Sequence, residues 1–527
     1  MKNNLTLPLD LNSIPKETNW RQNFYWPINS ISLIKVREDL ERILFQVLDE
    51  TESHDNKSIL RIVFNFLIKE HICLYNALYV TQEATKAKFD LRVENQLLWN
   101  GLSKQIVNFG IPKKPIFTPA ENIFYESRSW LNYLRSLKLS LISKKSKNLV
   151  LSCGGILEDR LKNDLENSSV ILFHTIFRSL ENISIIDQKF INKISKLIYD
   201  YYESSKIDTS NALYNYIKKY HSALFRKTLQ YLITADKYLL DSKYRKIFFT
   251  SGQNYFHRVV AESGRRNGIE SVGHEHGEPK ALKNSTINYY GELGLVSEFV
   301  TYTEECKNNY INFSINKRLL HKMPKLRVSN NHSGNKIIDK TKLSNIRKRS
   351  DTIMYVSGAY NNDAIFFAMR PHDIVYFEFQ LWIWELLIDS GYDLKVKLHP
   401  EAISRYIDID LPKGIKTIDG YFQDHLDENV IFLFDGSHSS ALEYAIASNN
   451  PIIFIDNTVD QLDTSVKLDL SFRASVIDGF YDKKNRLRIN PQDLTDAVSS
   501  CDHNKNHDFF QKYYDSSLSP LYNNKNS

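Results

Sequence analysis

The sequence predicts an α/β protein built from two doubly wound units behind a helical N-terminal extension. Short apolar runs alternate with longer helical runs twice along the chain, the pattern of a parallel sheet covered by helices on both faces. A polar, basic stretch separates the two alternating regions. The first 145 residues carry helical periodicity without that alternation.

Taken in order, ISLIKVREDLERILFQVLDE and SILRIVFNFLIKEHICLYNALYVTQEATKAK space their apolar residues by three and four, so 1–145 is a helical region. The period changes at KKSKNLVLSCGG, where a polar lead, a short strand and the Gly154-Gly155 turn open the first unit, 146–316. Further strands follow at SSVILFHTIF, RKIFFTSG and GIESVGHEHG, with helices over 191–202, 213–240 and 257–267. Residues 317–350 hold eleven Lys or Arg against the single acid Asp339 and read as a basic linker. The second unit, 351–505, has strands at DTIMYVSG, YDLKVKLHP, ENVIFLFDG and NPIIFID, and helices at HDIVYFEFQLWIWELLIDSG and SSALEYAIAS. A tail, 506–527, ends in SLSPLYNNKNS, which is expected to fray.

At 527 residues, 42% hydrophobic and 25% charged, with 30 Tyr and 29 Phe, the composition excludes a disordered or fibrous protein. A net charge of +6 is too mild to imply nucleic-acid binding. Cys73, Cys153, Cys306 and Cys501 form no CxxC pair, which argues against a zinc ribbon or disulfide framework and for a reducing compartment. The opening MKNNLTLPLDLNSIPKETNW has no apolar core, and no run approaches 18 apolar residues. A cytoplasmic protein is expected. The basic linker and the aromatic-rich helical region offer a surface for anionic lipid on the inner face of the membrane, against the plainer use of a solvated tether.

Ligands of doubly wound sheets bind beyond the carboxyl ends of the strands. VKLHPE delivers His399 to such an end, with Lys397 alternating behind it. FDGSHSSALEYAIASNNPIIFID reads as strand, polar loop, helix and strand, with Ser437, His438, Ser439 and Ser440 where the helix begins. A helix start presents unpaired N–H groups to an anion, although serines there also serve as caps. Glu443, within the apolar ALEYAIA, is a carboxylate in need of a partner, and ribose hydroxyls would supply one. His399 either caps its strand or stabilises a leaving phosphate.

In the first unit, Gly252-Gln253-Asn254 and His274-Glu275-His276-Gly277 occupy strand ends. Glu275, His276 and Glu158 are three candidates for the acid/base or nucleophile, and the choice among them stays open. Glu158 and Asp159 equally suit the positive start of a solvated helix. Arg258 is placed to meet a sugar carboxylate, while Arg265 and Arg266 look like a solvated helix end. His274 and His276 lack a third histidine at useful spacing, and Asp408-Ile409-Asp410 sits in a loop of the wrong fold for a DxD metal site. No metal or cofactor is expected.

Together these residues resemble bacterial surface-polysaccharide glycosyltransferases of the GT-B type. The likeness is to transferases that use CMP-activated Kdo or sialic acid for capsule and lipopolysaccharide, related to CDP-glycerol glycerophosphotransferases. His399-Pro400, then Ser439-Ser440 with Glu443, and GHEHG at 273–277 carry the resemblance, over roughly 245–460. Glu275 departs from the Gln that the family often shows before HG. The resemblance implies a nucleotide-sugar donor, with a CMP-linked acidic sugar favoured, and a glycan or lipid-linked glycan acceptor. It places His399, Ser439, Ser440 and Glu443 at the donor, with no metal ion; Lys397 and Ser437 join them as donor candidates on position alone, and Lys397 suits a surface or structural place equally well. Glycerophosphotransfer, a nucleotide-binding assembly role and sugar epimerisation are the competing functions.

Overall fold

The computed structural model describes residues 6–9, 11–14, 20–92, 148–151, 168–171, 176–177, 180, 186–249, 252, 254–275, 279–283, 285–312, 323–329, 351–358, 360, 371–399, 411–437, 440–457, 462–501 and 506–514. Near the N-terminus, β1 (Thr6–Pro8) runs parallel to β2 (Asp90–Arg92). Between them come α1 (Ser30–Glu50) and α2 (His54–Lys86). Asn29 caps α1 by accepting the Ser32 N–H at 2.9 Å, the usual service of Asn at that position.

The first sheet comprises β3 (Asn148–Leu151), β4 (Ser168–Ile171), β5 (Lys246–Phe249), β6 (Glu270–His274), β7 (Glu298–Thr301) and β8 (Lys325–Val328). Its order is β4-β3-β5-β6-β7-β8, and every pairing is parallel. Among the described residues the helices of this unit are α3 (Gln188–Ser204), α4 (Asn211–Leu240), α5 (Tyr255–Arg266), α6 (Thr286–Leu293) and α7 (Glu304–Asn312).

In the second sheet are β9 (Thr352–Val356), β10 (Asp393–Lys397), β11 (Lys416–Ile418), β12 (Ile431–Phe434), β13 (Ile452–Asp456) and β14 (Ser475–Asp478). Their order is β11-β10-β9-β12-β13-β14, again all parallel. In sequence terms this is 3-2-1-4-5-6, the Rossmann order. Every residue of β12 and β13 is buried, as uninterrupted apolar runs such as IFLF require in strands covered on both faces. A hairpin of β15 (Phe480–Tyr481) and β16 (Leu487–Arg488) follows. The helices of the unit among the described residues are α8 (Asp373–Asp389), α9 (Ser440–Ala447), α10 (Thr464–Ser471), α11 (Pro491–Ser500) and α12 (Asp508–Tyr513).

The two Rossmann-like, doubly wound units expected of a GT-B fold are present. Three stretches differ in detail from the expected layout. Lys325–Val328, inside the stretch read as a linker, is the edge strand β8 paired to β7. Its basic, half-buried composition is what an edge strand tolerates. The N-terminal helices are not an appendage, because α2 packs on α4 and α5, and α1 on α3. The chain ahead of them belongs to the second unit's surface: the Trp26 N–H donates to the Lys484 carbonyl at 3.0 Å, and the Trp26 ring lies 4.0 Å from that of His372. Finally α12, in the segment read as tail, buries Phe509, Phe510 and Tyr513 and packs on both α7 and α9. Residues 517–527, expected to fray, lie outside the described residues.

Candidate functional site

The Rossmann order fixes where a ligand can enter. The order of connections reverses between β9 and β12, so the topological switch point, where the ligand crevice of such sheets falls, lies between their carboxyl ends. Ser357 and Gly358 leave β9, and Asp435, Gly436 and Ser437 leave β12. His399 leaves β10, the neighbour of β9 on the far side from β12. With strands about 4.8 Å apart, the ends of β10 and β12 lie roughly 10 Å from each other. The sheet therefore brings His399 and the Ser437 loop to one edge, flanking a single switch point.

His399 is half-buried, and its backbone N–H donates to the Ser357 hydroxyl at 3.0 Å. Lys397 ends β10, with its ammonium 3.4 Å from the Leu398 carbonyl. Burial lowers its pKa, and nearby Asp419 partly offsets that. Ser437 is buried, Ser440 is the first residue of α9, and Glu443 lies half-buried in its first turn. At the other end of α9, the buried Arg473 guanidinium donates to the carbonyls of Ala445, Ile446, Ser448 and Asn450. It satisfies the helix's last carbonyls and anchors α9 from behind, leaving its N-terminus toward the crevice. Ser439, Pro400, Asp408 and Asp410 lie outside the described residues.

In the first unit His274 closes β6 and is buried, and Glu275 follows it, also buried. The Glu275 carboxylate accepts the Tyr302 N–H at 3.2 Å and the Tyr310 hydroxyl at 3.0 Å, tying the end of β6 to the β7–α7 turn. His276 and Glu158 lie outside the described residues. Asn254 is the N-cap of α5, accepting from Phe256 and His257, and Gly252 donates its N–H to Glu292 at 3.1 Å. Arg258 is not at a ligand surface. It is 1% exposed, and its guanidinium donates to backbone carbonyls of Arg61, Ile62, Gly252, Tyr290 and Gly291. Arg265 and Arg266 are not merely solvated: they pair with Glu262 and with Asp55 and Asp236.

The carboxyl edges of the two sheets meet. The Asp463 N–H, beyond β13, donates to the Leu282 carbonyl, beyond β6, at 2.9 Å. Thr303 and Cys306 of the first unit donate to the carbonyls of Lys512 and Tyr513 at 2.6 and 3.2 Å. The two units are thus joined by direct hydrogen bonds. Among the described residues, no three His, Cys, Asp or Glu side chains are grouped to hold a metal ion. No helix among them is long and apolar enough to cross a membrane.

Asp435 carries the largest signal that sequence reading passed over. It is buried at the switch point and bonded to two tyrosines, and burial pushes its pKa up to about 6. A charged residue directly after the wholly apolar IFLF was the clue, since such a position is covered and demands partners.

No family model matches the chain, and no curated protein matches it. Solved structures with a similar chain course include UDP-N-acetylglucosamine 2-epimerase from Rickettsia bellii, at 13% identity and TM-score 0.36, covering 69% of this chain and 89% of that one. UDP-GlcNAc 2-epimerase from Neisseria meningitidis bound to UDP-GlcNAc is 12% identical, with TM-score 0.33 and coverage of 67% and 89%. UGT89C1 from Arabidopsis thaliana is 8% identical, with TM-score 0.34 and coverage of 72% and 88%. Likeness at this level says nothing of what this chain binds or transforms.

Proposed function

We propose that the chain is a glycosyltransferase that moves a sugar from a nucleotide donor onto a bacterial capsule or lipopolysaccharide glycan, without a metal ion. One observation carries the reading: His399 and the start of α9 flank a single Rossmann switch point. A donor phosphate placed there meets the N–H groups and positive end of α9, with the imidazole opposite. Both stabilise the negative charge that grows on the leaving nucleotide. In this reading Ser437, Ser439 and Ser440 serve the donor phosphate, and Glu443 serves the ribose hydroxyls. Glu275 is already engaged by Tyr302 and Tyr310, which favours His276 or Glu158 as the group that takes the acceptor's proton.

Within this reading the donor is a CMP-linked acidic sugar such as Kdo, on the strength of the His-Pro and Ser-Ser resemblance. The enzyme works on lipid-linked acceptors at the inner face of the cytoplasmic membrane, its basic stretch toward anionic lipid. The test is a panel of CMP-, UDP- and GDP-sugars and CDP-glycerol with the full chain, read by nucleotide release and product mass. Transfer of a sugar without phosphorus supports the proposal. A product that retains phosphorus points to glycerophosphotransfer, and an isomerised sugar formed without acceptor points to epimerisation. Tight nucleotide binding with no turnover marks a binding protein.

Lys397→Met separates structure from function at the same edge. Its ammonium is buried against a carbonyl rather than a carboxylate, so the apolar isostere is expected to keep stability within about 1 kcal/mol or raise it. Donor KM is expected to rise about tenfold through loss of a charged hydrogen bond to phosphate. Urea melts beside steady-state kinetics decide it: an unchanged KM removes Lys397 from the donor site.

A further inference from the structure

Three strand ends of the second sheet are tied together by side chains for which the transfer chemistry has no direct use. Asp435 follows β12 and is 3% exposed. Its carboxylate accepts the Tyr376 hydroxyl at 2.9 Å and also the Tyr355 hydroxyl. Tyr355 belongs to β9 and Tyr376 to the first turns of α8. The Tyr376 oxygen in turn accepts the Gly358 N–H at 2.7 Å. Gly358 follows Ser357, whose hydroxyl accepts the His399 N–H at 3.0 Å. A connected path thus runs from His399 through Ser357 and Gly358 to Tyr376 and Asp435, and along the backbone to Ser437.

The path has no slack. A Cβ on Gly358 would come within 2.9 Å of the Tyr376 hydroxyl, and one on Gly436 within 2.8 Å of the Asn457 amide. Asn457 itself donates to the Asp435 carbonyl, holding the β12 loop from the other side. A carboxylate at this depth is costly unless fully bonded. The two tyrosine hydroxyls supply that bonding and draw β9, α8 and β12 to one point.

We propose that Asp435 is a positioning residue: through Tyr376 and Gly358 it sets the spacing between the His399 strand end and the 437–440 loop, and so the width of the crevice that takes the donor phosphate. This rests on the proposal that the crevice is the donor site. The groups facing the carboxylate are the hydroxyls of Tyr355 and Tyr376 and the Gln380 amide. Above a pH of about 6 the ionised carboxylate accepts both hydroxyls. Below it, the proton takes one acceptor position and the path loosens. The stability linkage has the opposite sign. A folded-state pKa raised to about 6 from 3.8 means this group favours the folded protein increasingly as pH falls between those values. An acid loss of activity through Asp435 is therefore not acid unfolding.

The experiment compares the full chain with Asp435→Asn and Tyr376→Phe, by donor kinetics from pH 5 to 8 and by hydrogen exchange at the Gly358 amide. Both variants are expected to raise donor KM roughly tenfold to a hundredfold with a smaller change in kcat. Gly358 is expected to lose its protection in both, and Asp435→Asn to lose the acid limb near pH 6. Tyr376→Phe keeps the carboxylate and serves where Asp435→Asn fails to fold. Wild-type KM and wild-type Gly358 protection in a folded variant would overturn the proposal. If the unaltered chain turns over no donor, the transferase proposal falls, while Gly358 exchange still decides whether Asp435 holds the loop.

Discussion

His399→Ala is expected to lower turnover by about a hundredfold to a thousandfold, the usual cost of removing one group that stabilises developing charge. Folding should be untouched. Alanine keeps the backbone N–H contact to Ser357, and the imidazole it removes is only half-buried. The loss is expected in kcat more than in donor KM, because charge on the leaving nucleotide grows only as the sugar bond breaks. His399→Gln retains a neutral donor and should recover part of the rate but not all. Lys395→Ala is the matched control on the same strand: its ammonium pairs with Glu428 at 2.6 Å, away from the crevice, and turnover should hold. Nucleotide release by purified protein, beside a thermal melt, settles the point. Wild-type turnover in a well-folded His399→Ala would leave the switch point without its chemistry.

The fold was legible where hydrophobic period changes sharply. NLVL, IFLF and IIFID are short, wholly apolar runs bounded by polar residues, and each is an inner strand of a parallel sheet. The strands that went unread are those whose composition is mixed. EFVT, KLRV, KTI and SVID are three or four residues long, and β8, β11 and β14 are edge strands open to solvent on one side. Such strands need neither alternation nor strong apolarity, so no period marks them. Strand order was likewise hidden, because the sequence lists strands as they are made and the crevice depends on which ones become neighbours.

The candidate site divides along the same line. The positions of His399 and the start of α9 were legible because each follows an apolar run to the carboxyl edge of the sheet. Asp435 was overlooked beside the serines that follow it, since its importance lies in tyrosines 59 and 80 residues away in sequence. Glu275 reads from the sequence as a candidate acid or base, and its bonds to Tyr302 and Tyr310, which the sequence does not show, join β6 to the next turn. A side chain's type narrows what it can do, but only its partners say which use it has been put to.

Arg258 makes that distinction testable. Its five donor contacts join α2, the β5–α5 loop and the end of α6, and the guanidinium also stands 5.0 Å from the centre of the Tyr290 ring. The surroundings leave no room for a ligand: a Cβ on Gly252 would fall 2.2 Å from the Gly291 carbonyl, so the loop and α6 are in direct backbone contact. Burial lowers the Arg258 pKa, and neighbouring Tyr290, Glu262 and Glu292 oppose that shift. Arg258→Met is therefore expected to cost about 3–5 kcal/mol, from orphaned carbonyls and lost packing, seen as a lower urea midpoint with the slope retained. Lys246→Met, which breaks only the exposed pair with Glu270, should cost no more than about 1 kcal/mol. The kinetic signature also differs from that of a substrate-binding arginine. A guanidinium that met a sugar carboxylate would, when removed, penalise acidic donors and spare neutral ones. A guanidinium that staples three segments lowers the folded fraction, so whatever activity survives should fall by the same factor for every donor accepted. Selective loss with acidic donors, at unchanged urea midpoint, would return Arg258 to the substrate.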